Sequence, residues 1–292
     1  MKKILAVTFI SIIFIKTGAQ KKDFVVTIKT NYGEMIAILY DETPKHKQNF
    51  IKLAKEHYFD SLLFHRVIQN FMIQGGDPNS KKAKSGESLG NGGPGYTIDA
   101  EFNSKLFHKK GALAAARLGD GQNPTKASSG SQFYIVQGKI IPQAQINSLR
   151  IDQAKLNSTL SKFISKSENK SIYDTLSKLY GTGKTDAFNN KIISLADQVE
   201  KETGVKILKD ISQEKIKAYT TVGGTPHLDD GYTVFGEVIK GLDVIDKIAA
   251  VKTAPGDRPT EDIRMFVSIK EMSKKKIKKE YGYIYPVSSI KK

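Results

Sequence analysis

The sequence predicts a mainly β protein, an antiparallel barrel or sandwich interrupted by an α-helical insertion. Three observations predict it. Short runs rich in β-branched and aromatic residues recur from Phe24 to Val136 and again from Tyr219 to Ile269, divided by Gly-, Asn- and Pro-bearing turns. Within those two regions only two segments carry the apolar period of a core-type helix. Between the regions, from about 143 to 218, strand signals give way to helical periodicity. Propensity does not choose between barrel and sandwich.

The chain opens with Met1-Lys2-Lys3, an apolar run from Ile4 to Ile15, and small residues at Thr17-Gly18-Ala19. This is the pattern of a secretory signal peptide over residues 1–19, and the run is short of the roughly 20 residues a spanning helix needs. The expectation is export, with the mature protein periplasmic or secreted and without a transmembrane segment after signal cleavage. The Lys-Lys start reads as bacterial. The chain has 292 residues and no cysteine, which excludes disulfides, a thiolate nucleophile, a Cys-type zinc site and a lipoprotein anchor.

Phe24–Ile28 and Gly33–Tyr40 read as a hairpin turned at Asn31-Tyr32-Gly33. Thr43-Pro44 opens a helix, with Thr at the N-cap and Pro in the first turn. Phe50, Leu53, Ala54 and His57 line one face of that helix. Phe64–Asp77 reads as two strands around a tight connection, and it carries Arg66 and Gln74 on a mostly apolar surface. Such groups cost free energy unless paired or used. The run Gly90–Gly95 lacks the strand before and helix after that a phosphate cradle needs, and is read as a loop. Tyr96–Ile98, Ala112–Ala116 and Gln132–Val136 are further strands.

In the insertion, Ile146 to Ile164 suggests one amphipathic helix, Ile172 to Tyr180 a second stopped at Gly181, and Ile192 to Val199 a third stopped near Gly204. Gly181–Thr185 has the letters of a P-loop ending, but its context is helix to helix. Strands return at Tyr219–Val222 and Tyr232–Val238, then a helix from Leu242 to Ala249 and a last strand at Ile263–Ile269. The net charge is +16, and Lys274, Lys275, Lys276, Lys278, Lys279, Lys291 and Lys292 concentrate it at the end. Residues 271–292 are read as a solvated basic tail, with weak attraction to anionic surfaces and no specific nucleic acid partner.

Phe64-His65-Arg66-Val67-Ile68 with Phe71–Asp77, then Gly130–Ile135, then Leu228-Asp229 with Val234–Val238, resemble the three signatures of the cyclophilin-type peptidyl-prolyl isomerases, in order. The resemblance covers Phe24 to Pro142 and Tyr219 to Ile269, so residues 22–270 are expected to form one such domain interrupted at about 143–218. It implies an eight-stranded antiparallel barrel capped by two helices, those after Pro44 and after Gly241, with an outer groove that needs no metal or cofactor. It implies an enzyme that speeds rotation about X-Pro bonds in proline-containing peptides or unfolded proteins. Arg66 and Gln74 are the implied catalytic residues. Phe71, Met72, Tyr134 and Leu228 resemble the proline pocket, Gln132 and Ala116 groove positions, and Arg117 a backbone contact where many members have Asn. His227 stands where many members have a tryptophan associated with cyclosporin, so weak cyclosporin sensitivity is expected. Tyr232 stands where a histidine is common. His65, by strand parity, points away from Arg66. The competing reading is a non-catalytic peptide-binding or chaperone module in which the insertion is the working part and the barrel a scaffold; in either reading the insertion enters where it can restrict or extend substrate access.

Overall fold

The computed structural model describes residues 21–286; the expected signal peptide and the lysines at 291 and 292 lie outside them. In chain order the elements are β1 (Lys22–Thr30), β2 (Gly33–Leu39), α1 (Pro44–Lys55), β3 (Leu62–Ile68), β4 (Met72–Gly75), β5 (Thr97–Ile98), β6 (Ala112–Ala115), β7 (Ser128–Ser129) and β8 (Phe133–Val136). Then come α2 (Gln143–Arg150), α3 (Gln153–Ile164), α4 (Lys170–Gly181), α5 (Thr185–Thr203), α6 (Gln213–Thr221), β9 (Val234–Lys240), α7 (Leu242–Ala249), β10 (Arg264–Ser273) and α8 (Lys274–Tyr281). Eight strands close into an antiparallel barrel in the order β1-β10-β3-β4-β8-β6-β9-β2, while β5 and β7 form a small separate pair. No helix among the described residues is long and apolar enough to cross a membrane.

Alternation along the strands sends one set of side chains inward. Val26 and Ile28 of β1, Met35, Ala37 and Leu39 of β2, and Phe64, Ile73, Leu113, Phe133 and Ile135 share one core with Phe50, Leu53 and Ala54 of α1 and Val244, Ile245 and Ile248 of α7. The two helices therefore cap the barrel, as the apolar faces of their sequences require. Thr43 holds the N-cap position of α1 without a side-chain capping bond. Glu101 does the capping instead: its carboxylate accepts from the Lys45 and His46 amides at 3.0 Å each and meets His46 Nδ1 at 2.7 Å.

β1 and β2 are apolar on both faces, and the second face is also covered. Val25, Ile36 and Ile38 pack with Met272 and Ile277, flanked by Tyr281, Tyr283 and Tyr285. For residues 271–286 this corrects the reading of a solvated tail. β10 continues through Ser273, α8 follows with Ser273 capping it, and Ile277 is fully buried. The lysines ride on the outer side of a helix docked on the barrel.

The segment between β8 and β9 folds around its own core of Ile151, Leu156, Phe163, Leu176, Ile192, Leu195, Ala196, Val199 and Ile207. The single helix expected over Ile146 to Ile164 is two. Asp152 accepts from the Lys155 amide and starts α3, while Ile151 bridges Leu208. The strand expected at Tyr219–Val222 is the end of α6, which Ser212 caps. The segment leaves and rejoins the barrel at one seam. Lys139 pairs with Gly224, and a Cβ on Gly138 would fall 2.4 Å from Gly224 Cα. A side chain there would push the two strands of the seam apart.

Candidate active site

The geometry of the β3–β4 hairpin decides which polar side chains meet. A two-residue turn at Gln69-Asn70 would oppose Arg66 to Ile73 and put Gln74 on the other face. The connection instead has three residues, Gln69, Asn70 and Phe71. Asn70 is left-handed (φ 62°), and the Phe71 amide donates back to the Ile68 carbonyl at 3.1 Å. The pairs are Ile68 with Met72, Val67 with Ile73, and Arg66 with Gln74. Arg66, Gln74, Met72 and Ile68 thus share the outer face. A bulge between Phe64 and Arg66 resets the register on the far side.

That bulge overturns the parity argument for His65. Its ring is buried, lines the same cavity as Arg66, and leaves both ring nitrogens without a hydrogen-bond partner. Burial pushes its pKa below the usual histidine range, which favours the neutral ring.

The cavity has a volume of about 730 Å³. Its floor and walls on the barrel side are Arg66, Phe71, Met72, Gln74, Ala116, Arg117, Tyr134, Leu228 and Tyr232. Met72, Ala114, Ala116, Tyr134 and Val234 form an outer apolar cluster with Phe71, Leu228 and Tyr232 packed against it. His227 does not line the cavity; it stacks on Phe71 with ring centroids 5.5 Å apart. Loops 85–91 and 254–260 close the other side.

Arg66 is half exposed, and its Nε donates to Asp257 Oδ2 at 3.3 Å. Among the described residues its two Nη groups have no hydrogen-bond partner, so they are free to meet an acceptor in the cavity. Asp257 is itself left-handed (φ 62°), and its carbonyl accepts from the Val67 amide at 2.8 Å. One residue of a distant loop thereby holds both the backbone and the side chain of β3. Nothing in the local sequence signals this pairing.

The glutamine side chains are ordered by what surrounds them. Gln132 Nε2 donates to the Gly90 and Gly92 carbonyls at 2.8 and 2.7 Å, so its Oε1 must accept, and Gln74 Nε2 donates to it at 3.1 Å. Gln132 therefore orients Gln74 and does not itself line the cavity. Two amides of the same glycine run are also engaged: buried Asp77 accepts from Gly90 and Gly92 at 2.5 and 3.2 Å. A Cβ on Gly92 would sit 2.0 Å from Asp77 Oδ1, so only glycine fits. These bonds commit the Gly90 and Gly92 amides and carbonyls to building the cavity wall.

Arg117 is likewise engaged within the protein. Its side chain is buried; Nε donates to the Gly231 carbonyl at 2.7 Å, Nη1 donates to Leu118 and Asp120, and the guanidinium lies 4.4 Å from the Tyr232 ring. It anchors the Tyr232 wall. Tyr134 is buried, which pushes its phenol well above the usual tyrosine range, and its hydroxyl sits 2.9 Å from His108 Nε2. His108 and Asp229 behind it carry no signature in the sequence beyond Leu228-Asp229.

Comparison with known proteins places these features in a family. A family model described as cyclophilin type peptidyl-prolyl cis-trans isomerase/CLD matches residues 25–195 and 200–269. A putative bifunctional phosphatase/peptidyl-prolyl cis-trans isomerase of Streptococcus pyogenes is 33% identical over 82% of this chain, which spans 37% of that relative. A putative peptidyl-prolyl cis-trans isomerase of Staphylococcus saprophyticus is 30% identical over 85% of this chain and 92% of its own length. Among solved structures, a cyclophilin type peptidyl-prolyl cis-trans isomerase of Cryptosporidium parvum superposes with a TM-score of 0.50 at 19% identity, covering 86% of this chain and 98% of the other. That likeness concerns the fold.

Proposed function

The chain belongs to the cyclophilin-type peptidyl-prolyl cis-trans isomerases, and on that premise we propose that the barrel-wall cavity is where an X-Pro bond is twisted, with Arg66 and Gln74 as the catalytic pair. The observation that carries this reading is the cross-strand pairing of Arg66 with Gln74 on one face, beside Met72 and in one cavity with Tyr134 and Leu228.

The chemical task is a rotation, with a barrier of about 20 kcal/mol set by the partial double bond of the amide. No bond is cleaved, so no nucleophile is required. Catalysis needs a site that binds the twisted amide more tightly than either planar isomer. Twisting returns a lone pair to the prolyl nitrogen, and a fixed donor aimed there lowers the barrier. Arg66 supplies that donor through its free Nη groups, because Asp257 already holds Nε. Phe71, Met72, Tyr134 and Leu228 hold the proline ring in an apolar pocket while the chain before it turns. Gln74, oriented by Gln132, presents its remaining amide groups to the substrate backbone.

The proposed setting is outside the cytoplasm, as a folding catalyst for exported proteins, supported by the basic, apolar and small-residue order of Met1–Ala19. A protease-coupled assay on an X-Pro peptide tests the reading. The wild type accelerates isomerisation, and Arg66→Ala loses about a hundredfold in kcat/KM, the scale of removing one preorganised donor. Peptide binding without acceleration would instead assign a non-catalytic binding module.

A further inference from the structure

We infer that Lys215 and Tyr219, on the last helix of the insertion, are positioning residues for the proline pocket. Among the described residues, none between 143 and 221 lines the cavity. The insertion thus contributes nothing to the cavity wall, yet α6 reaches the pocket from behind.

The connection runs through Asp229. Its carboxylate is largely buried, accepts three hydrogen bonds and forms one ion pair. Two come from His108, the backbone amide at 3.0 Å and Nδ1 at 2.9 Å. The third hydrogen bond comes from α6, from Tyr219 Oη at 2.8 Å, and the ion pair is with Lys215 Nζ of the same helix at 3.0 Å. Burial works to raise the Asp229 pKa, but the bonds from His108, the Lys215 charge and the bond from Tyr219 prevail and hold it below the usual carboxylate range. The ring that Asp229 orients then meets the Tyr134 hydroxyl through its other nitrogen. On the chain side, Asp229 directly follows Leu228, the pocket wall, at the end of a short 3-10 turn whose Thr225 amide donates to the His108 carbonyl. The floor and one wall of the pocket therefore hang on one carboxylate, and the insertion provides one of its three hydrogen-bond donors and its cation.

Removing either α6 donor leaves a buried charge under-satisfied, which frees the His108 ring and the turn bearing Leu228 to shift. The expected signature is weaker ring binding with the rotation step preserved, because the Asp229 carboxylate contacts neither Arg66 nor Gln74. Lys215→Met and Tyr219→Phe should each raise KM for an X-Pro peptide about three- to tenfold, the scale of one ordinary hydrogen bond. kcat should stay within about twofold, and Lys215→Arg should restore KM.

The inference rests on the proposed isomerase site, so the peptide's Kd is measured by calorimetry beside the kinetics. Phe163→Ala serves as the control, since it weakens the insertion core without touching Asp229. Raised KM and Kd in both α6 variants, with Phe163→Ala unchanged, support the inference. Wild-type KM and Kd in both α6 variants overturn it, as does an equal rise in Phe163→Ala. A wild type that binds the peptide without turnover refutes the catalytic reading alone, and the Kd values still decide the inference.

Discussion

The barrel and the insertion are both built on amphipathic elements around a sealed apolar core, but they treat polar groups differently. The barrel spends buried polar side chains freely: Asp77 on a glycine loop, Glu101 and His46 on a helix start, Asp229 and His108 behind the pocket. Its outer wall, where alternation would otherwise place solvent-facing residues, is apolar around Arg66 and Gln74. The insertion is plainer. Its polar groups lie mostly outside, as in the exposed pair of Lys206 and Asp210, and its core is aliphatic around Phe163. The difference teaches that a site can be recognised by polar atoms the fold must hold in place at a cost. The insertion acts on that site only where it contributes to the same holding, at Lys215 and Tyr219.

Three perturbations sharpen or break this contrast. The largest effect is expected from Phe163→Ala, which should cost the insertion about 3–5 kcal/mol, the range for an aromatic removed from a core. Limited proteolysis should then cut within residues 152–207 while peptide isomerisation persists. A variant whose barrel melts together with its insertion would show one cooperative unit instead of two. Glu101→Ala should be milder, about 1–2 kcal/mol for a lost cap, with the loss confined to the barrel transition in calorimetry.

The smallest effect is acid sensitivity between pH 7 and 5. Burial lowers the pKa of His46 and His65 below the ordinary 6.5. Their neutral rings contribute stability that is fully present above about 6.5 and is lost as pH falls through the lowered values. Residues 143–221 contain no histidine. The barrel Tm should therefore drop over this range while the insertion transition stays in place. A matched drop in both would break the comparison.

Much of this was legible in the sequence. Alternation located most of the barrel strands, and the apolar faces of Pro44–Lys55 and Leu242–Ala249 identified the capping helices. Gly181 and Gly204 mark the ends of α4 and α5. Arg66, Gln74, Phe71, Met72, Ala116, Arg117, Tyr134, Leu228 and Tyr232 do converge on one cavity. What was illegible depends on partners distant in the chain. The His65 bulge follows from strand pairing, which no local period encodes. Asp257 reaches Arg66 across 191 positions. In α8 the run of lysines concealed Ile277, whose burial requires β1 and β2 beneath it. Tyr219-Thr220-Thr221-Val222 has the composition of a strand, but the Ser212 cap and the Tyr219 contact with Asp229 favour helix, a case of tertiary context overriding propensity.

The way the barrel closes has a kinetic consequence. β1 pairs along its length with β10, and the ion pair between Lys22 and Glu271 spans 249 positions. A newly made chain holds only the β1–β2 hairpin at this edge until its final strand emerges, and an isolated hairpin is marginal in water. The helices between β8 and β9 make mostly local contacts and form early, whereas the closing strand must wait for the longest loop in the molecule to shut. The expected product of synthesis before that step is a helical block attached to an open sheet, with the groove completed only when the last barrel strand docks.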